Sequence, residues 1–468
     1  MQPMSFDFRS RRSMVSAQRG MVAASNPLAA QAGLDILRQG GNAADAAIAA
    51  AAVMNVVAPA STGIGGDCFA LYYDATTKQI SGLNGSGRAP AALTPEHLAA
   101  AGFTEAIPTR HALAVTVPGA VAGWVDLIAQ HGSLPMSTLL ADAIHYASEG
   151  YVVSPVFGRA WGRAEGFLRE RPHTDDYLPD GRAPRPGQIV RLPGLARSLQ
   201  AIAEGGKTAF YEGPIAEAIV ATLREQGGVM SLDDLAGHTS NWVAPISTDY
   251  HGLTVYEIPP NGQGLAALIA LNIAEGWGLN EMEAFSAERL HLMVEAMRLA
   301  FADARHYIAD MDVEIVPVEA LLSKDYATTR RALVNHETAM QPPGFGAPLP
   351  GSDTIYLTAV DGAGNACSFI NSLYMGFGSG IVARDTGIFL QNRGANFTLE
   401  PGHANRLAPG KRPYHTIIPG MATRDGALWA SFGVMGGFMQ PQGHLQVITA
   451  MLDDNLNPQE ALDRPRFC

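Results

Sequence analysis

The feature that most constrains the fold of this chain is an abrupt change of texture at residue 354. A stretch crowded with structure breakers, Gln341-Pro342-Pro343-Gly344-Phe345-Gly346-Ala347-Pro348-Leu349-Pro350-Gly351-Ser352-Asp353, runs straight into Thr354-Ile355-Tyr356-Leu357-Thr358-Ala359-Val360-Asp361. Repeated Pro and Gly deny the first stretch a regular element and predict a long loop. The second alternates Thr354, Tyr356 and Thr358 with Ile355, Leu357 and Ala359. That period of two belongs to a half-buried strand. A strand therefore starts at Thr354, fed by a segment long and pliable enough to fold back on it.

A threonine at a loop-to-strand boundary is chemically ordinary while the chain is intact. Once the chain is cut before it, a new α-amine with a pKa of ~7.7–8.0 sits beside its own hydroxyl and can take its proton near neutrality. The residue is then a nucleophile with a built-in base, the arrangement of a self-processing amide-cleaving enzyme. Taken alone, the pattern favours a plain strand threonine.

Composition narrows the classes. Hydrophobic residues make up 47% of the 468 and charged ones 16%, which predicts a sizeable buried core and argues against global disorder. A formal charge of −12 disfavours a nucleic-acid or anionic-membrane surface. Cys68, Cys367 and Cys468 fit no metal spacing and cannot all pair, so free thiols in a reducing compartment are expected. The Arg11-Arg12 pair has no apolar run behind it, and a cytoplasmic start is expected. The most apolar segment, 42–58, is mostly alanine, carries Asp45 and stops at Pro59; it predicts a buried helix capped by Asn42 rather than a membrane span.

Further along, Ser61-Thr62-Gly63-Ile64-Gly65-Gly66-Asp67-Cys68 leads into a strand-like Phe69–Tyr73. No Lys-Ser/Thr follows and the glycines enter a strand, so close backbone packing or approach to a substrate is favoured over a phosphate loop. Residues 112–335 read as mostly helical, with a long helix over 284–309. His291 and Glu295 share a face of it, with Asp303 and His306 beyond, but solvated or ion-paired roles are favoured over a metal site. After residue 353 short β-type runs dominate, at 366–373, 387–390 and 428–433.

Several motifs then occur in order: Asn42-Ala43-Ala44-Asp45-Ala46, Gly63-Ile64-Gly65-Gly66, Thr116-Val117-Pro118-Gly119-Ala120-Val121-Ala122-Gly123, the Thr354 strand, Gly376-Phe377-Gly378-Ser379-Gly380, Pro409-Gly410-Lys411-Arg412-Pro413 and Met435-Gly436-Gly437. Together, from about Gly20 to the end, the chain resembles the γ-glutamyltransferase family of N-terminal-nucleophile hydrolases. The resemblance implies an α+β fold, a four-layer αββα sandwich, made as a precursor that cuts itself at Asp353–Thr354. Residues 1–353 would form a large part and 354–468 a small part of one interleaved domain; the two would stay associated, with a dimer of such pairs left open. Thr354 would be the nucleophile and its freed amine the base. Gly436 and Gly437 would form the oxyanion hole, two N–H groups unobstructed by a Cβ. Ser372 would support the nucleophile through its hydroxyl. No metal and no organic cofactor is implied.

The chain departs from that family's pattern where the acyl group would bind. Ser86 stands where a carboxylate-binding Arg is usual, and Arg88 is the nearby substitute. Asn396 replaces an amino-group-binding Asp, Arg393 a neighbouring Gln or Glu, and Tyr374 an Asn. His415-Thr416 replaces a serine pair. These changes remove an acid and add an Arg, so the pocket is expected to prefer a small acyl group bearing a carboxylate and no ammonium. Oxamate amidohydrolases are the members most similar in this respect. The alternatives are a true γ-glutamyltransferase or glutathione hydrolase, a β-lactam-side-chain acylase, and a processing-deficient protein that binds a small metabolite. Family members usually continue past Arg466-Phe467-Cys468 into further strands, so an open sheet edge is expected there.

Overall fold

The computed structural model describes residues 12–341 and 353–468, with the Asp353 side chain left aside. The breaker-rich loop at 342–352 and the chain before Arg12 lie outside the described residues.

The alanine-rich segment forms a helix over Ala43–Val57, buried along its whole length. Asn42 starts it as part of a capping box: its side chain accepts from the Ala44 and Asp45 N–H groups, and the Asp45 carboxylate accepts from the Asn42 N–H at 2.9 Å. Its small side chains let other layers approach on all sides. The Pro27–Arg38 helix packs beside it, and strands Asp353–Asp361 and Ala366–Tyr374 of the large sheet lie against it.

That large sheet has six antiparallel strands in the order Gly20–Ala24, Asp353–Asp361, Ala366–Tyr374, Asp67–Asp74, Gln79–Gly85 and Asn241–Val243. Strand periodicity sorts the side chains of Asp67–Asp74 cleanly. Cys68, Ala70 and Tyr72 pack into the helical side, and Phe69, Leu71 and Tyr73 into the opposite side. There they meet Ile258, Ile417 and Met421. A second sheet carries this opposing surface, with strands Ala427–Phe432, Gly420–Arg424, Leu253–Glu257 and Ile246–Tyr250 in that order. Its outer face is covered by the helices Gly264–Glu275, Ala287–Tyr307 and Met439–Leu452. Helices, sheet, sheet and helices make the four-layer αββα sandwich.

The region 112–335 is mostly helical, but Asn241–Val243, Ile246–Tyr250 and Leu253–Glu257 within it are strands, and the last two make half of the second sheet. Leu253, Val255 and Glu257 are buried while Thr254 and Tyr256 are half-buried, so the period-two signal is present but short. The runs expected at 366–373 and 428–433 form strands Ala366–Tyr374 and Ala427–Phe432, and the third shrinks to Ile388–Phe389. The long helix forms over Ala287–Tyr307, with Ser286 as its cap. On it, Glu295 pairs with Arg298 and Asp303 with Arg330, while a His291 ring nitrogen meets the Asn335 carbonyl. Among the described residues no cluster of His, Cys, Asp and Glu has metal-ligand geometry, and no helix is long and apolar enough to cross a membrane.

The Gly65-Gly66 pair is there for close approach. A Cβ on Gly66 would overlap the Ser372 carbonyl, and one on Gly65 the Phe389 carbonyl. The first contact brings backbone up to the strand that faces Thr354, and the second to the Ile388–Phe389 strand.

Candidate active site

Thr354 lies at the start of its strand, 4% exposed, opposite an irregularity in its neighbour. Asn371 pairs with Ile355 but Tyr374 with Asp353, so Ser372 and Leu373 together face Thr354. This is a β-bulge, which bends the strand and re-aims a side chain. Here it brings Ser372 Oγ to 3.2 Å from Thr354 Oγ1. The bulge ends at Tyr374, whose φ of +80° lies in the left-handed region that bulky residues avoid.

Behind Ser372 sits Arg393, fully buried. Its Nη2 donates to Ser372 Oγ at 2.7 Å and its Nη1 to Thr416 Oγ1 at 2.6 Å. The Tyr374 ring lies 4.8 Å from the guanidinium carbon, a cation–π contact. No carboxylate of the described residues pairs with Arg393, and its Nε has no hydrogen-bond partner. Burial lowers its pKa to about 10, opposed by the Asp67 charge, so it stays cationic at neutral pH. A surface ion pair, one plain role for this arginine, is thereby excluded.

His415 is fully buried and reaches Asp67 instead of the open site. Its Nε2 lies 3.1 Å from Asp67 Oδ2, and its Nδ1 accepts from the Ile417 N–H at 3.4 Å. The proton of the neutral ring therefore belongs on Nε2. Asp67 Oδ1 accepts from the Gly87 and Gly119 N–H groups and from Gln391 Nε2, at 3.0, 3.1 and 2.8 Å. Burial first, then the Arg393 charge, pushes the His415 pKa down to about 4. A folded pKa below the unfolded value of about 6.5 means that the native state favours the neutral ring. That stability is complete above pH 6.5 and is lost as pH falls toward 4, by at most about 1.4 kcal/mol per pH unit. The stability advantage of His415 over a His415→Asn variant should therefore shrink across this window. Urea unfolding of both, in an uncut Thr354→Ala background, measures it; a pH-independent difference would mean that His415 is not held neutral.

Gly436 and Gly437 follow the Ala427–Phe432 strand and precede the Met439–Leu452 helix, with φ of +110° and +60°. Only glycine adopts such a pair without strain. Among the described residues no backbone acceptor takes up either N–H. The segment leading to them passes Tyr356, whose ring a Cβ on Gly433 would strike, two residues along the strand from Thr354.

Two expected residues sit differently. Arg88 donates to Asp310 Oδ2 at 3.1 Å and Asp312 Oδ2 at 2.6 Å, with no contact to Arg393 or Ser372 among the described residues. It is held in an ion-pair group with Arg412, which also binds Asp312. Asn396 ends the short helical turn that Arg393 begins, and its side-chain Nδ2 is buried without a partner. Asp67, Gln391 and Gln263 belong to the same buried network and were not singled out from sequence. Asp67 carried a signal, since it closes the Gly63–Gly66 run where the strand begins.

Residues 29–468 match the family model described as Gamma-glutamyltranspeptidase. The chain belongs to the gamma-glutamyltranspeptidase family. It is 41% identical over 455 residues to the glutathione hydrolase-like YwrD proenzyme of Bacillus subtilis, spanning 97% of this chain and 85% of the relative. To the oxamate amidohydrolase proenzyme of Klebsiella pneumoniae it is 37% identical, spanning 96% and 84%. Other curated relatives are named glutathione hydrolase proenzymes. The solved cephalosporin acylase of Bacillus halodurans superposes with a TM-score of 0.90 at 48% identity, covering 99% of this chain and 86% of that one. The protein is accordingly an enzyme, an N-terminal-nucleophile hydrolase made as a self-cleaving proenzyme. A processing-deficient binding protein is set aside. The relatives favour the glutathione-hydrolase-like alternative over the oxamate reading.

Proposed function

We propose that this family member, once cut before Thr354, hydrolyses the amide of a small acyl group that ends in a carboxylate, γ-glutamyl amides of the glutathione type first among them. The observation that carries the reading is the buried Arg393 guanidinium, separated from the nucleophile by the single hydroxyl of Ser372 and without an acid partner. A buried cation left unpaired is costly, and a substrate carboxylate on the fork of Arg393 offsets that cost.

In this mechanism the cut frees the Thr354 amine, which takes the proton of the Thr354 hydroxyl. The oxygen attacks the amide carbon, and the Gly436 and Gly437 N–H groups stabilise the resulting oxyanion. Collapse breaks the C–N bond, the amine leaves with the proton, and a threonyl ester remains. Water activated by the same amine then breaks the ester. Ser372 holds Thr354 Oγ1 and is itself held by Arg393, so carboxylate binding and nucleophile position are linked through one arginine.

A second reading, an oxamate-like substrate, is favoured by the chemistry of the vacant groups. Arg393 Nε and Asn396 Nδ2 are both donors. Neither offers the negative charge that an α-ammonium needs. The test is a panel of γ-glutamyl-, glutaryl- and acetyl-p-nitroanilide with oxamate, on fully cut enzyme. Turnover of the two carboxylate-bearing anilides, with the acetyl compound at least 100-fold slower, is expected. Equal rates on all three anilides would sink the proposal, and oxamate faster than γ-glutamyl would select the second reading.

A further inference from the structure

Gln263 stands at the N-cap of the Gly264–Glu275 helix, but its side chain makes no capping hydrogen bond. Its fully buried side chain reaches instead across the sandwich. Nε2 donates to the Thr416 carbonyl at 2.6 Å and to the Gly437 carbonyl at 2.9 Å, and Oε1 accepts from the Tyr414 hydroxyl at 3.0 Å. Two carbonyl acceptors on one atom fix the orientation of the amide, since the reverse would set oxygen against oxygen. The backbone joins in: the Gln263 N–H donates to the His415 carbonyl at 3.0 Å, and the His415 N–H to the Asn261 carbonyl at 2.9 Å.

From these contacts we infer that Gln263 is a positioning residue that sets the oxyanion-binding glycines relative to the nucleophile. The contacts form an unbroken series. Gly437 is tied through Gln263 to Thr416, Thr416 through its hydroxyl to Arg393, Arg393 to Ser372, and Ser372 to Thr354. Gln263 is the link between the glycines and the rest. Two adjacent glycines are the least restrained backbone a chain can offer, whereas an oxyanion hole works only when its donors are preorganised. The Gly437 carbonyl is fixed on one side by the Gln440 N–H at 3.1 Å and on the other by Gln263. That carbonyl belongs to the peptide plane after Gly437, and the plane that carries the Gly437 N–H is held by the Met439 N–H on the Gly436 carbonyl at 3.1 Å, so Gly437 turns only between two anchored planes and Gln263 secures one of them. Capping does not account for a glutamine here, and a residue chosen for packing alone would not place its amide on three polar partners.

The inference rests on the oxyanion role given to Gly436 and Gly437 above, so its test avoids dependence on the acyl group. The probe is a simple β-lactone, which acylates an N-terminal threonine through a tetrahedral oxyanion; the rate is read as added mass on the fragment that begins at Thr354. Gln263→Met keeps the length and removes the hydrogen bonds. Its acylation rate should fall about 10- to 100-fold, the size of losing part of an oxyanion site. With the best anilide kcat should fall likewise and KM change less than threefold. Gln263→Glu supplies a second arm. A protonated acid donates one hydrogen bond and a carboxylate none, so its rate relative to wild type should rise as pH falls from 8 to 5. A structural role alone predicts no such inversion. Acylation of cut Gln263→Met within twofold of wild type overturns the inference. If Gln263→Met does not fold or cut, a Gln263→Glu pH profile parallel to wild type overturns it. A wild type that reacts with the lactone but hydrolyses no anilide counts against the proposed substrate and leaves the lactone comparison decisive.

Discussion

Thr354→Ala should yield a single 468-residue polypeptide with no amidase activity, a loss of at least about 10⁴-fold, as expected when a covalent nucleophile is removed. Intact-mass measurement under denaturing conditions reads the first effect, and p-nitroanilide release the second. Wild type should give two fragments, the smaller beginning at Thr354. Both losses should come together, because in the proposed mechanism one oxygen attacks the Asp353 carbonyl during maturation and the substrate carbonyl afterwards. Ser372 lies 3.2 Å away with a hydroxyl of its own, yet it cannot stand in. Its nitrogen is in a mid-strand peptide bond and never becomes an amine. Thr354→Ser should restore cutting and turnover at reduced rate. Persistent cutting before residue 354 in the alanine variant would remove Thr354 from the role.

Arg393→Met should lower kcat/KM for carboxylate-bearing anilides by about 100-fold or more, the scale of losing two charge-assisted hydrogen bonds. Turnover of the acetyl anilide should fall by a smaller factor, since that substrate loses only the hold of Arg393 on Ser372 and none of the carboxylate binding. Thermal stability is the discriminating readout. A structural ion pair would be missed when lost, but Arg393 has no acid partner, and replacing an unpaired buried charge by an apolar side chain of similar length should leave Tm unchanged or higher. Arg393→Lys should not rescue, since an ammonium cannot span Ser372 and Thr416 as a planar fork does. A fall in Tm with unchanged substrate preference would return Arg393 to a structural role.

The parts of this molecule legible from sequence are those written in local periodicity. The strand from Thr354, the alanine helix with its Asn42 cap and the close-packing glycines at Gly65-Gly66 each follow from a few neighbouring residues. The short strands between Asn241 and Glu257 were hidden because alternation over five residues is weak inside a long helical region. In the site, Arg393 and Ser372 were legible as residue types but not as neighbours, since a bulge two residues wide decides where Ser372 points. Asp67 and Gln263 were missed for the same reason. Their partners Gly119, Gln391 and His415, or Thr416 and Gly437, lie far along the chain, and only the fold brings them together. Arg88 shows the converse, a plausible neighbour in sequence that the fold commits to Asp310 and Asp312.

The strand order of the large sheet has a consequence for how the mature protein endures. The two strands that follow the cut lie between Gly20–Ala24 on one side and Asp67–Asp74 on the other. In the proenzyme these pairings form within one molecule, where tethering keeps each strand at high effective concentration of its neighbours. After the proposed cut before Thr354 the same pairings would join two fragments. A mature enzyme that unfolds loses its tether and must find its other half by collision, with the large fragment meanwhile exposing the two edges that its missing strands had filled. A cut before Thr354 would thus give a protein whose lifetime is set by the height of its unfolding barrier.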